Sequence, residues 1–204
     1  MKQAVVVGLG WILAGCAMSV QEAPSFHQEP LDISQWMESP EAHKGYIFLC
    51  DDLDRGVATD LAGKIVGLDQ AEGVERITVL INSYGGEASA WRMIHNAIRL
   101  TSKPVDVVNI GDCYSAACTV FASATGRKYA YENAHFMVHK PELIYPSKGE
   151  YKEIVDFETE IYQLALRKTL PADWFPLTQK GRYFTAQQAL QYGFIDQIVN
   201  QWPP

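Results

Sequence analysis

The sequence predicts an α/β fold on three observations. Short apolar runs stand at 46–50, 76–82 and 105–110, amphipathic stretches stand between them, and 204 residues with 48% hydrophobic side chains are enough for one substantial core. The folded domain is expected over 45–204. Residues 46–50 and 76–82 read as strands and 59–68 as the helix between them. Residues 87–100 carry Ala90, Trp91, Met93, Ile94, Ala97 and Ile98 at helical spacing, a wide apolar face suited to packing between layers. After the strand at 105–110, a helix is expected from Ser115 to Thr125 with Gly126 closing it, followed by strands at 128–132 and 135–139. Residues 151–166 form the most obvious helix, its stripe broken only by Glu158. Thr185 to Gln188 has capping-box form, and Gly193 falls where a C-cap belongs, so 185–192 is a short helix.

The N-terminus reads as an export signal. Lys2 supplies a positive start, and the apolar run 4–14 stops at Gly15-Cys16, well short of the roughly 20 residues that span a bilayer. Leu13-Ala14-Gly15-Cys16 resembles the lipobox of bacterial lipoproteins. That resemblance implies a signal peptide over 1–15, cleavage before Cys16 and lipidation of its sulfur; Ala17 beside it implies sorting to the outer membrane, at its periplasmic face. An ordinary secretory signal with a chance cysteine is the plainer alternative. Residues 16–44, with Pro24, Pro30 and Pro40 and no sustained period, read as a tether between membrane and domain.

The formal net charge is −7, with acidic residues spread along the chain, so a nucleic-acid backbone would meet net repulsion and is not an expected partner. Removing 1–15 takes away Lys2 and leaves 16 basic against 24 acidic residues, or −8. With Cys16 acylated, Cys50, Cys113 and Cys118 remain. Cys113 and Cys118 could pair across Ser115, or all three could be small buried hydrophobes; a bridge would constrain the helix start that carries Ser115.

Three segments carry chemistry: Asn82-Ser83-Tyr84-Gly85-Gly86 after a strand, Gly111-Asp112-Cys113-Tyr114-Ser115-Ala116 between strand and helix, and Met137-Val138-His139-Lys140-Pro141 on a later strand. A serine at a helix start lies near unpaired N–H groups and the positive dipole end, where an oxyanion finds donors. Ser115 is therefore the candidate nucleophile and His139 its base. The N–H groups of Gly86 and Ala116 are the candidate oxyanion hole, since glycine lets backbone approach a carbonyl closely. Taken alone, Ser115 reads as a capping serine and His139 as a core histidine; the set changes that. His135 and His139 on one strand lie about 13 Å apart at roughly 3.3 Å per residue, too far to share an ion, and no metal or cofactor is expected.

These segments resemble the ClpP family of serine peptidases, within the wider ClpP/crotonase superfamily. The family's Ile-Asn-Ser-Pro-Gly-Gly stands here as Ile81-Asn82-Ser83-Tyr84-Gly85-Gly86, its Gly-x-Ala-x-Ser-Met as Gly111 to Ala116, and its Met-Ile-His-Gln-Pro as Met137 to Pro141. Its closing Ala-x-x-Tyr-Gly-Leu-Val-Asp stands as Ala189-Leu190-Gln191-Tyr192-Gly193-Phe194-Ile195-Asp196. The likeness covers 46–199 and is greater still to exported ClpP-like proteins. It implies repeated β-β-α units with a protruding handle helix at 151–166, homo-oligomers, and serine endopeptidase activity. Phe157 and Leu164 on the handle could meet another subunit. Without ATP outside the cytoplasm, no partner ATPase is expected and substrates should be peptides or unfolded segments.

One departure bears on activity. The family's catalytic Asp precedes an Arg-aromatic-Leu-Ser segment, here Arg182-Tyr183-Phe184-Thr185, so its position holds Gly181. Asp173 or a backbone carbonyl could take over the third role, or the chain could be a slow or inactive relative that binds without hydrolysing. Crotonase-like acyl-CoA chemistry shares the oxyanion geometry but suits a cytoplasmic cofactor pool.

Overall fold

The computed structural model describes residues 33–140, 152, 153, 156, 159–162 and 181–201. The chain divides into two compact units, Met1–Pro30 and Leu31–Pro204; the first, with Cys16 and the expected signal peptide, lies outside the described residues.

The second unit opens with two single-turn helices, α1 (Ser34–Met37) and α2 (Pro40–His43), followed by strand β1 (Tyr46–Leu49) and helix α3 (Arg55–Gln70). The expected tether therefore does not extend to residue 44. Trp36 and Met37 pack on the core, Lys64 Nζ sits 5.0 Å over the Trp36 ring, and Ala42 is buried. Pro40, read as linker punctuation, instead starts α2, with Ser39 Oγ accepting from the Ala42 N–H at 3.2 Å.

Then come β2 (Ile77–Ser83), α4 (Ala88–Leu100), β3 (Val105–Tyr114), α5 (Ala116–Ala122), β4 (Lys128–Tyr131), β5 (His135–Val138), β6 (Arg182–Thr185), α6 (Ala186–Tyr192) and β7 (Gln197–Val199). Strands β1-β2-β3-β4-β7 lie side by side and all pair in parallel, as strand–helix–strand connections require. One sheet face shares a core with α3, α4 and α5, built from Ile47, Leu49, Val79, Ile81 and Val107 against Leu61, Ile65, Trp91, Ile94 and Phe121.

Two features of the sheet place the site. Strand β3 runs four residues past the expected Ile110 and changes partner on the way: Val107 to Asn109 pair with β4, whereas Asp112 to Tyr114 pair with β5. Strand β5 then pairs antiparallel with β6, Val138 opposite Arg182. Helix α5 is correspondingly shorter than expected. It runs from Ala116 to Ala122 with Ser123 as its C-cap, and Gly126 is not its cap but donates its N–H to Val105 O. The capping box on α6 forms as read, with Thr185 N–H on Gln188 Oε1 at 2.9 Å and Gln188 N–H on Thr185 Oγ1 at 3.3 Å, and Gly193 is left-handed at φ 76°.

Of the helix expected over 151–166, residues 152, 153, 156 and 159–162 are described and helical. Phe157, Leu164 and the segment 142–149 lie outside the described residues, as does Asp173. Among the described residues no helix is long and apolar enough to cross a membrane.

Candidate active site

The end of β3 makes a sharp turn at Ser115 before α5. Ser115 has φ 52° and ψ −125°, the one non-glycine residue among those described with a positive φ, a strain of about 1–3 kcal/mol. Its N–H donates to Met137 O at 2.7 Å, so β5 fixes the turn from the side. Its side chain does not cap the helix. Instead Ser115 Oγ lies 2.6 Å from His139 Nε2, just past the end of β5. Buried Asn109 secures the neighbouring backbone, donating from Nδ2 to His135 O at 2.8 Å and accepting the Gly111 N–H at 3.0 Å.

The glycine loop closes on this turn from β2. Ser83 Oγ donates to Asp51 O and accepts the Gly85 N–H. Leu53 bonds on either side of Gly86: its N–H donates to Gly85 O at 2.6 Å, and its C=O accepts from Glu87 N–H at 2.7 Å. That pattern turns the Gly86 N–H away from Leu53, on the side where β2 meets β3. Neither Gly86 N–H nor Ala116 N–H has an acceptor among the described residues. Glycine is obligatory at 86, where a Cβ would lie 2.1 Å from Leu53 O at φ 148°.

Gly85 has a role that the sequence did not distinguish. A Cβ there would stand 2.8 Å from Ala116 N and 2.9 Å from Ser115 Cβ, so Gly85 is the residue that lets the loop rest on the nucleophile turn. Asn82 reaches across to accept the Asp112 N–H at 2.9 Å. Also unforeseen is a row of tyrosines beside the turn. The Tyr114 ring is 5.5 Å from that of Tyr84 and 5.7 Å from that of Tyr183, and Tyr84 and Tyr183 are largely exposed. Burial, and then the hydrogen bond from its hydroxyl to Asp112 Oδ1, push the Tyr114 phenol far above its ordinary value.

His139 Nδ1 is buried and has no hydrogen-bond partner among the described residues. Gly181 lies one residue beyond the Val138–Arg182 pair, across from His139, and offers no side chain to it. The site thus joins a serine, an imidazole and two free N–H groups, which is the equipment for acyl transfer, without a described group to orient the imidazole.

Comparison with known proteins gives the chain's family. The Clp protease family profile matches residues 36–202. ATP-dependent Clp protease proteolytic subunit 2 of Rhodococcus jostii is 30% identical over 173 residues, 76% of this chain and 84% of that protein. The protein of the same name from Thermobifida fusca is 27% identical over 165 residues, 77% of this chain and 81% of that one. Among solved structures, a point mutant of ClpP1 from Listeria monocytogenes superposes with a TM-score of 0.61 at 22% identity, covering 78% of this chain and 93% of that one. These relatives support a serine-protease kind of function. With residues 36–202 matched by the family profile, the chain belongs to the Clp protease family.

Proposed function

We propose that the chain is an ATP-independent serine peptidase of the bacterial cell envelope, anchored through lipid on Cys16 and acting on peptides or unfolded segments. The 2.6 Å contact between Ser115 Oγ and His139 Nε2 at a strained turn carries this reading. In it, His139 takes the Ser115 proton as the oxygen attacks a peptide carbonyl, the N–H groups of Gly86 and Ala116 receive the oxyanion, and His139 returns the proton to the leaving amine. The lipobox-like Leu13 to Cys16 supports the location, and the word "subunit" in the relatives' names supports self-association. A fluorophosphonate probe applied to the full chain should label the wild type and leave Ser115→Ala unlabelled, with His139→Ala strongly slowed; equal labelling of all three would sink the reading. Mass analysis of the membrane-extracted protein, with a diacylglyceryl group on an N-terminal Cys16, tests the anchor.

A second reading, an attenuated member that binds rather than cleaves, draws on His139 Nδ1. If Nδ1 carries the proton, a buried donor is left unpaired at about 1–3 kcal/mol. If Nε2 carries it, the imidazole donates to Ser115 Oγ and cannot accept from it. Losing the orienting carboxylate from such a site costs about 10⁴ in turnover. Slow labelling with undetectable peptide turnover would favour this reading, as would a role for Asp173 failing to appear in Asp173→Ala.

A further inference from the structure

We infer that Tyr162 is a positioning residue that aims the Ala116 N–H, an inference that rests on the peptidase reading of Ser115. Tyr162 is 1% exposed, its ring lying beside Phe194 in the core. A phenol hydroxyl carried that deep needs partners. It has Thr119 Oγ1 at 2.7 Å and the Ser115 carbonyl oxygen at 3.5 Å, the outer limit of a hydrogen bond. With the phenol proton on Ser115 O, the Thr119 hydroxyl donates to the phenol oxygen.

The consequence follows from the rigidity of the peptide unit. The Ser115 carbonyl and the Ala116 N–H belong to one planar group and point in opposite directions. Whatever holds the carbonyl on the protein side therefore aims the N–H at the site. Ser115 O already accepts from Cys118 N–H at 2.9 Å and from Thr119 N–H at 3.3 Å, both within α5. Tyr162 adds a donor from outside the helix, and it does so at the residue whose strained φ persists only if its surroundings over-determine it. From the other side Ser123 Oγ donates to Thr119 O at 2.7 Å. That occupies the Ser123 proton, so His95 Nδ1, 2.8 Å from Ser123 Oγ, is the protonated nitrogen of its ring. Thr119 is thus gripped at its carbonyl by Ser123 and at its hydroxyl by Tyr162.

The test compares Tyr162→Phe, Thr119→Val and Thr119→Ser in the full chain. Tyr162→Phe and Thr119→Val should each slow fluorophosphonate reaction and lower kcat on a peptide ester about tenfold, with KM within twofold. Thr119→Ser, which keeps the hydroxyl, should stay within twofold of wild type. The double variant should be no slower than the slower single, because both remove one interaction. A second readout does not need turnover: the Ala116 amide resonance should move in Tyr162→Phe and hold in Thr119→Ser. Wild-type reactivity in Tyr162→Phe, a loss confined to KM, or an unmoved Ala116 amide overturns the inference. An unreactive wild type would instead sink the peptidase reading, and the Ala116 resonance would still decide the role of Tyr162.

Discussion

Gly181 and Met137 share the ground where an orienting carboxylate for His139 would stand: a Cβ on Gly181 would lie 2.9 Å from Met137 Sδ and 3.2 Å from Met137 Cγ. Restoring an acid at 181 therefore requires the Met137 side chain to swing aside. It also requires a side chain at φ 74°, a conformation that aspartate tolerates better than most residues. Gly181→Asp alone is expected to raise peptide-ester turnover modestly, and Gly181→Asp with Met137→Ala to raise it several-fold further. Gly181→Ala, which brings strain and no acceptor, should lower stability by about 1–2 kcal/mol in thermal melts and leave turnover no better. An acid at 181 that changes nothing in the double variant would mean that another group already serves Nδ1.

The two loop glycines should fail in different ways. Gly86→Ala drives a Cβ into the Leu53 backbone, so it should cost about 3 kcal/mol and cut fluorophosphonate labelling about 100-fold by displacing an oxyanion donor. Gly85→Ala meets Ser115 and Ala116 instead, and should lower labelling more than it lowers stability. Gly73→Ala is the control for backbone strain alone, since it has φ 78° and nothing within 4 Å of its Cβ. It should cost about 1 kcal/mol and label normally. Denaturant melts beside labelling rates check all three.

Acid sensitivity should be traceable in part to Asp69. Oδ1 of Asp69 accepts from Ser102 N–H and Oγ, each at 2.9 Å, and from Lys103 N–H at 3.2 Å. Lys103 Nζ in turn donates to Leu68 O and Ala71 O, 2.7 Å each, closing the end of α3. Burial pushes the carboxyl up, but the Ser102 side-chain bond and the two backbone bonds outweigh it and hold the folded value below 3.8. A lowered folded pKa contributes stability that is present above the unfolded value and lost as pH falls through the folded one. The gap in melting temperature between wild type and Asp69→Asn should therefore be open at pH 7 and close below about pH 3.8. Asp69→Ala, which also loses the bonds, should cost about a further 1 kcal/mol at neutral pH.

The elements that were legible in the sequence are those specified locally. The amphipathic stripe of α4 and the Thr185–Gln188 capping box depend on neighbours three or four residues away. What escaped depends on a partner far along the chain. Strand β3 reads in the sequence as ending at Ile110; its switch from β4 to β5 extends it to Tyr114. Ser115 reads as an ordinary helix cap until the Met137 carbonyl is in place to hold its φ. The division of labour between Gly85 and Gly86 is set by Leu53, a residue with no signal of its own. Sequence order alone paired Ser115 with His139, and the ring nitrogen that faces away was beyond its reach.

Cys50, Cys113 and Cys118 report on the ground beneath the nucleophile. Cys113 and Cys118 flank Ser115 as free, fully buried thiols, and Cys50 is exposed. Burial foremost, then the neighbouring Cys118, pushes the Cys113 thiol well above its ordinary value. Cys50 is also raised, by partial burial and by the charge of Asp51, so its thiolate is scarce at neutral pH. In a chain carrying Cys16→Ser, a disulfide-exchange reagent at pH 8 should therefore titrate Cys50 alone, and slowly. Adding Cys50→Ser should abolish the native signal. Unfolding that double variant should release Cys113 and Cys118 together. No thiol on unfolding would mean that the two had joined across Ser115, and a native signal without Cys50 would mean that the turn opens far enough to expose its own foundation.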